Sequence, residues 1–307
     1  MYLGTTPIEF APLGVGTWAW GDKAYWNNDA LEHLDDIAAA FLVSVAAGIT
    51  FFDTAEIYGP KISERLLGGL VRATNRPVVI ATKFFPFPWR LSVHTLQDAL
   101  NASLYRLRAK HVDLYQIHWP TPLIGAPQLM DALADAVAEG KVRAVGVSNY
   151  SADQMRRAHE LLAQRGVPLA SNQVEYSLLH RVPEKNGVLA ACRELNITLI
   201  AYSPLASGLL GGKYSVRTRP DGVRKYQPRF RPAALKAYEP VDGLLREIGT
   251  GHGGKTSAQV ALNWLMQREV LPIPGAKNAR QAAANAGALG WKLDADEIDA
   301  LDQITRS

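Results

Sequence analysis

The sequence of 307 residues contains a single cysteine, Cys192. That excludes an internal disulfide framework and any metal site built from several thiolates. Charge is also sparse. Charged residues make up 20%, and 33 Lys and Arg against 29 Asp and Glu leave a formal net charge of +4. So small an excess does not by itself indicate a charged partner. Long apolar runs are missing too. The uncharged run from Ile37 to Phe52 spans 16 residues and includes Ser44, Gly48 and Thr50, short of the roughly 20 apolar residues that a membrane span needs. No Lys or Arg precedes Lys23, so the start lacks the basic region of a secretory signal. The expectation is a cytoplasmic protein (or a stromal one, if a plastid transit peptide has been removed) with no membrane partner. What is present, 48% hydrophobic residues, is ordinary for a globular chain and excludes disordered and fibrous architectures.

Short β-branched runs alternate with longer stretches of helical period. Strands are predicted at Leu13–Thr17, Ile49–Asp53, Val78–Lys83, Asp113–His118, Val142–Ser148, Ser171–Val174, Ile197–Tyr202 and Val270–Pro274. Helices are predicted at Ala30–Ala47, Ser63–Arg72, Thr95–Leu107, Gln128–Glu139, Ala152–Gln164, Gly187–Leu195, Ser257–Gln267 and Asn278–Leu289. Runs such as Val78-Val79-Ile80-Ala81 are apolar at every position, as in parallel strands buried on both faces. Strands alternating with helices imply a parallel sheet, and a count of eight favours a closed (β/α)8 TIM barrel over an open doubly wound sheet. No composition break divides residues 1–307, which read as a single domain. Met1–Ala11, with its Gly4-Thr5-Thr6 turn, reads as a β-hairpin capping the barrel floor, and an extra helix is expected at the C-terminus. The irregular stretch Ser203–Pro232 is long enough to suggest a functional loop.

Five strands end in polar residues that a buried sheet would otherwise exclude: Asp53, Lys83, His118, Ser148-Asn149 and Tyr202. In a barrel these ends converge on the rim where active sites lie. Taken singly, each has an ordinary structural reading as a cap, a solvated charge or a satisfied core histidine. Together they form a constellation.

The residues of that constellation resemble the active-site motifs of the aldo-keto reductases. The resemblance rests on Asp53-Thr54-Ala55-Glu56-Ile57-Tyr58-Gly59, Lys83, Ile117-His118-Trp119-Pro120, the run Gly140 to Asn149, and Asn172-Gln173-Val174-Glu175-Tyr176. It spans nearly the whole chain, and Tyr202-Ser203-Pro204-Leu205 is similar to the bacterial and plastid branch. It implies NADPH-dependent reduction of a small-molecule carbonyl by Tyr58, Lys83, Asp53 and His118. Hydride arriving at a carbonyl carbon leaves an alkoxide, which needs a proton donor and a stabilising dipole. Tyr58 would supply the proton, Lys83 would lower its pKa, Asp53 would orient Lys83, and His118 would hydrogen-bond the carbonyl. The resemblance also implies a cofactor groove at Gly16, Thr17, Trp18, Asp53, Ser148, Asn149, Gln173, Tyr202, Ser203, Pro204, Leu205, Gly208 and Lys213. It continues through Gly275, Lys277, Arg280, Gln281 and Asn285, where Lys277 and Arg280 suit the 2′-phosphate of NADPH or NADP+. Trp18, Trp20, Tyr58, Phe84, His118 and Trp119 are the expected substrate pocket. No metal is expected.

A rival reading comes from Gly249-Thr250-Gly251-His252-Gly253-Gly254-Lys255-Thr256, which matches the phosphate-binding pattern G-x-x-x-x-G-K-[ST] of P-loop nucleotidases. Such a loop follows a buried strand, whereas Val241, Leu244, Leu245 and Ile248 have helical spacing. The glycines then read as a helix end and Thr256 as the next cap. A further possibility is an NADPH-binding sensor or regulatory subunit with slow chemistry. Charge distribution adds one more feature. Residues 213–231 hold seven basic side chains and the single acid Asp221, a local +6, while the other segments hold 26 basic and 28 acidic residues. The segment reads either as a solvated or disordered loop or as a flexible cationic cover over the cofactor pyrophosphate. No nucleic-acid-binding motif accompanies it, and the sequence leaves oligomeric state open.

Overall fold

The computed structural model describes residues 1–306 apart from Asn27 and Leu31. Eight parallel strands run in the order β1 to β8: Gly14–Gly16, Phe51–Asp53, Val79–Phe84, Val112–Ile117, Val142–Ser148, Leu169–Glu175, Thr198–Tyr202 and Leu271–Pro272. Gly16 pairs back to Gly275, with its N–H donating to Pro274 O at 3.1 Å, so the sheet closes on itself as a (β/α)8 barrel. The helices are α1 (Lys23–Trp26), α2 (Leu34–Ala46), α3 (Ile62–Thr74), α4 (His94–Leu107), α5 (Ala126–Ala138) and α6 (Ala152–Ala163). They continue as α7 (Val182–Lys185), α8 (Val188–Glu194), α9 (Pro232–Gly251), α10 (Ser257–Met266), α11 (Ala279–Ala286) and the C-terminal α12 (Ala295–Thr305).

Side chains alternate between the two faces of each strand, and this splits the core in two. Phe51, Val79, Leu114, Ala144 and Ile200 fill the barrel interior, where Leu3, Ile8 and Phe10 of the N-terminal hairpin close the floor. Phe52, Ile80, Tyr115, Val145 and Leu199 point outward into the layer beneath the helices. The expected hairpin is present as the Tyr2–Glu9 bridge, with Leu3 N–H bonded to Ile8 O.

Most predicted elements lie within a few residues of the observed ones, and β5 coincides with its prediction. The helix predicted to begin at Ala30 begins at Leu34, and its Leu31 lies outside the described residues, as do Asn27 of the loop before it and Ser307. Only the second half of α9, from Val241 to Ile248, was read as helical from its spacing, and the helix extends back across Pro240 to Pro232. Pro232 occupies its first turn, where a missing N–H costs nothing. Pro240 is tolerated because Leu235, Tyr238, Val241, Leu245 and Ile248 bury one face of the helix.

α9 also decides the P-loop reading. Gly249, Thr250 and Gly251 are the last residues of this helix, so no strand precedes the glycines. Lys255 donates to Gly287 O and lies over the Trp291 ring, and Thr256 caps α10 by accepting from Gln259 N–H. The segment 203–232 is likewise not a free loop. It forms short 3-10 turns at Ala206–Gly211, Gly222–Tyr226 and Pro228–Phe230. Arg229 pairs with Glu175 at 2.9 Å, Gln227 bonds the Tyr25 hydroxyl, and Phe230 is fully buried.

Candidate active site

Period-2 alternation explains how the polar residues reach one place. Phe51, Ala81, Ser171 and Ile200 face inward, so Asp53, Lys83, Gln173 and Tyr202, each two residues on, face inward at the top of the barrel. There Lys83 Nζ donates to Asp53 Oδ2 at 2.6 Å, to Thr54 O at 2.8 Å and to the Tyr58 hydroxyl at 3.3 Å. Asp53 Oδ1 accepts from Gln173 Nε2 at 2.8 Å and from Gln116 Nε2 at 3.4 Å. Tyr58 comes from the turn after β2, which bends sharply at Gly59. That residue has φ +52°, and a Cβ there would sit 2.8 Å from Trp20 O, so only glycine brings the phenol over the barrel mouth. The His118 ring meets the Tyr58 ring edge-on, with centroids 5.8 Å apart.

Burial governs the protonation states. Desolvation, with the Asp53 carboxylate adding to it, pushes the Tyr58 phenol well above its ordinary value near 10. Burial thus works against the lowering expected from Lys83, because a buried phenol loses hydration on ionising. Burial also pushes Lys83 down, opposed by Asp53 and Glu64. His118 is pushed down to about 3 by burial and by the Lys83 charge, and its Nδ1 has no hydrogen-bond partner among the described residues. Lys83 paired with Asp53, a protonated phenol and a neutral imidazole thus share one mouth.

Beside them, Ser148 Oγ donates to Gln173 O at 2.8 Å, Asn149 Nδ2 to His118 O at 3.1 Å, and the Tyr202 hydroxyl to Asn149 Oδ1 at 3.0 Å. Farther along the rim, Lys277 is pushed down by burial and by the nearby Arg224 and Lys213 charges. Three cations crowded this way make a site suited to an anion. Asn278 caps α11 just beyond, and the exposed Arg280 lies in its first turn. Gln281 Oε1 accepts from Lys277 N–H, and Asn285 Nδ2 donates to Gly275 O. Ser203 and Gly208 adopt left-handed conformations, curling the chain after β7 through Pro204 and Leu205 toward Lys213.

A model of the aldo/keto reductase family matches residues 12–306. The chain belongs to the aldo/keto reductase family. Its fold and membership make it an oxidoreductase. It is 42% identical over 304 residues to a chloroplastic pyridoxal reductase of Arabidopsis thaliana, covering 95% of this chain and 82% of that protein. An aldo-keto reductase of Bacillus subtilis is 30% identical, at 98% and 92% coverage. Among solved structures, a thermostable aldo-keto reductase bound to the inhibitor epalrestat matches with a TM-score of 0.80 at 30% identity, covering 99% and 98%. A Klebsiella pneumoniae aldo-keto reductase in complex with NADPH matches at 0.78 and 28% identity, covering 99% and 96%.

Within this family member, three expected site residues lie elsewhere. Trp20 is fully buried, donating its indole N–H to Ala276 O at 2.8 Å. Phe84 is fully buried because it follows the inward Lys83 and so points outward, beneath the Arg90 guanidinium. Neither walls the mouth. Thr17 is also fully buried, its hydroxyl held by Asp53 O and Ser63, and supports the site from behind. Trp18 (39% exposed) and Trp119 (46%) do lie open at the rim. Sequence reasoning missed Gln116, and it read Arg224 only as one charge of the cationic segment and Phe85 only as one of the aromatics around the rim loops. The alternation that placed Lys83 inward also signals Gln116, two residues before His118. Arg224 and Phe85 lie in loops, where no period gives direction.

Proposed function

We propose that the chain reduces aldehydes and ketones to alcohols with NADPH, with Tyr58 as the proton donor. The observation carrying this reading is the Lys83 ammonium, held by Asp53 at 2.6 Å and touching the Tyr58 hydroxyl at 3.3 Å. The cofactor fits the donor set, since Lys213, Arg224 and Lys277 form a repelling cationic cluster that phosphate would neutralise, beside the first turn of α11. Lys277 and Arg280 would hold the 2′-phosphate, and Ser148, Asn149 and Gln173 would face the carboxamide. When bound, NADPH supplies the hydride that reduces the carbonyl carbon.

The chain's own residues manage the proton. His118, neutral down to about pH 3, would offer a hydrogen bond to the carbonyl oxygen without taking the proton itself. Tyr58 passes its proton to that oxygen as negative charge develops. The transfer remains downhill despite the raised phenol pKa, because an alkoxide is a far stronger base than a phenolate. Lys83 then lies against the phenolate and stabilises it, and solvent returns the proton. The aromatic rim excludes water and favours flat substrates. Pyridoxal, an aromatic aldehyde, heads the substrate panel because the Arabidopsis relative is named for its reduction.

The test is NADPH absorbance on adding pyridoxal, benzaldehyde or propanal, with alcohol measured alongside. The expected result is NADPH oxidation matched by alcohol formation. Tight NADPH binding with no turnover, even in a single-turnover mix, would contradict it and favour a sensor.

A further inference from the structure

β3 ends at Phe84, whose carbonyl accepts the His118 N–H at 2.9 Å. Phe85 is the first residue beyond the ladder, where a backbone normally turns to solvent, yet both of its backbone groups are bonded by one pair of side chains. Its N–H donates to Glu56 Oε1 at 2.7 Å, and its carbonyl accepts from Arg90 Nη1 at 2.7 Å. Glu56 and Arg90 are themselves joined by a two-pronged ion pair, 2.5 Å between Nη1 and Oε1 and 2.8 Å between Nη2 and Oε2. Their side chains are only 4% and 16% exposed.

A buried ion pair is a poor source of net stability, because desolvation offsets most of its attraction. Its forked geometry does fix position. What it fixes here is an aromatic wall. The Arg90 guanidinium lies 4.7 Å from the Phe84 ring centroid and 5.2 Å from that of Phe87. Phe87 stacks on Trp89 at 4.6 Å and meets Phe85 at 4.7 Å. Phe85 then meets His118 edge-on at 5.4 Å. Glu56 stands two residues before Tyr58 and three after Asp53, so the same short segment carries the proton donor and the anchor of the opposite wall.

We propose that Glu56 and Arg90 are a positioning pair that sets substrate preference: they hold Phe85, with Phe87 and Trp89 behind it, as a fixed wall against His118 that selects flat aromatic aldehydes over short aliphatic ones. This rests on the carbonyl-reduction reading. Neither residue meets the carbonyl or the cofactor. Their effect passes through Phe85, and a loosened wall costs the substrate that leans on it and spares one too small to reach it.

The experiment measures kcat and KM for benzaldehyde and propanal in the unaltered protein, Arg90→Lys, Glu56→Gln, Phe85→Leu and the Phe85→Leu/Arg90→Lys pair, with NADPH affinity read by fluorescence quenching. Displacing a positioned wall raises KM for benzaldehyde about tenfold in Arg90→Lys, with kcat held within about twofold. Propanal KM and NADPH affinity stay in place, and Arg90→Lys adds nothing once Phe85 is Leu. Glu56→Gln keeps an acceptor for the Phe85 N–H and removes the charge, so it carries the same measurement if Arg90→Lys does not fold. Parallel losses on both aldehydes, or a full Arg90→Lys effect in the Phe85→Leu background, overturn the proposal. If the unaltered protein reduces neither aldehyde, the carbonyl-reduction reading falls and takes this one with it. Turnover with an unmoved preference overturns this one alone.

Discussion

The imidazole of His118, buried and next to the Lys83 ammonium, is held at about 3 against an ordinary value of 6.5. The sign of its effect on stability follows. Between those two values the unfolded chain binds a proton that the native state refuses, so stability is full above pH 6.5 and falls as the pH drops through it. The loss attributable to His118 between pH 7 and pH 5 is about 2 kcal/mol. Urea denaturation at both pH values checks this: His118→Gln should lose about 2 kcal/mol less over the interval than the unaltered protein, and equal losses would contradict the buried neutral imidazole. At this scale the sequence was informative wherever a residue sat at a strand end. Asp53, Lys83 and His118 were legible because polar residues terminate apolar runs. Phe84 was misplaced for want of the alternation argument, since a neighbour of an inward Lys83 must face out. Trp20 was misplaced because its loop has no period to orient a side chain.

The elements were read from periodicity, and the reading was sound where period and caps agree. Ser151 caps α6 and Thr256 caps α10, accepting from the backbone N–H groups of Gln154 and Gln259. It was incomplete in α9, where only Val241 to Ile248 had been read as helical and tertiary burial carries the helix back across Pro240 to Pro232. The end of α9 supplies a prediction about the phosphate-loop lookalike. A Cβ on Gly249 would lie 2.0 Å from Lys255 O, whereas one on Gly251 has nothing within 4 Å. Gly249→Ala should therefore lower stability by at least about 2 kcal/mol through overpacking. Gly251→Ala should leave it unchanged or raise it by up to about 1 kcal/mol. Thermal denaturation of the two variants checks the packing role: a stability cost at Gly249 and none at Gly251 is the outcome it requires. A Gly249→Ala variant of normal stability would contradict it.

At the scale of the whole molecule, closure of the barrel converts strand ends far apart in sequence into one mouth. Gln173 reaches Asp53 across 120 positions, a contact that no local pattern reveals and that only the closed sheet supplies. Closure also locates the charge. The +6 of residues 213–231 is not a loose cover: Arg229 is spent on Glu175, while Arg224 and Lys213 stand beside Lys277 near the start of α11. Cation cluster and buried Tyr58–Lys83–Asp53 site thus share one rim, and on the function proposed above they would divide the work between binding and proton transfer. That division is the central claim, and Tyr58→Phe tests it most directly. With pyridoxal or benzaldehyde in excess, NADPH oxidation should fall at least about a hundredfold, the scale of a lost general acid. NADPH affinity, measured by fluorescence quenching on the same preparation, should stay within about twofold, since a hydroxyl outside the phosphate cluster carries little of it. Turnover retained in Tyr58→Phe, or affinity lost together with turnover, would contradict the account.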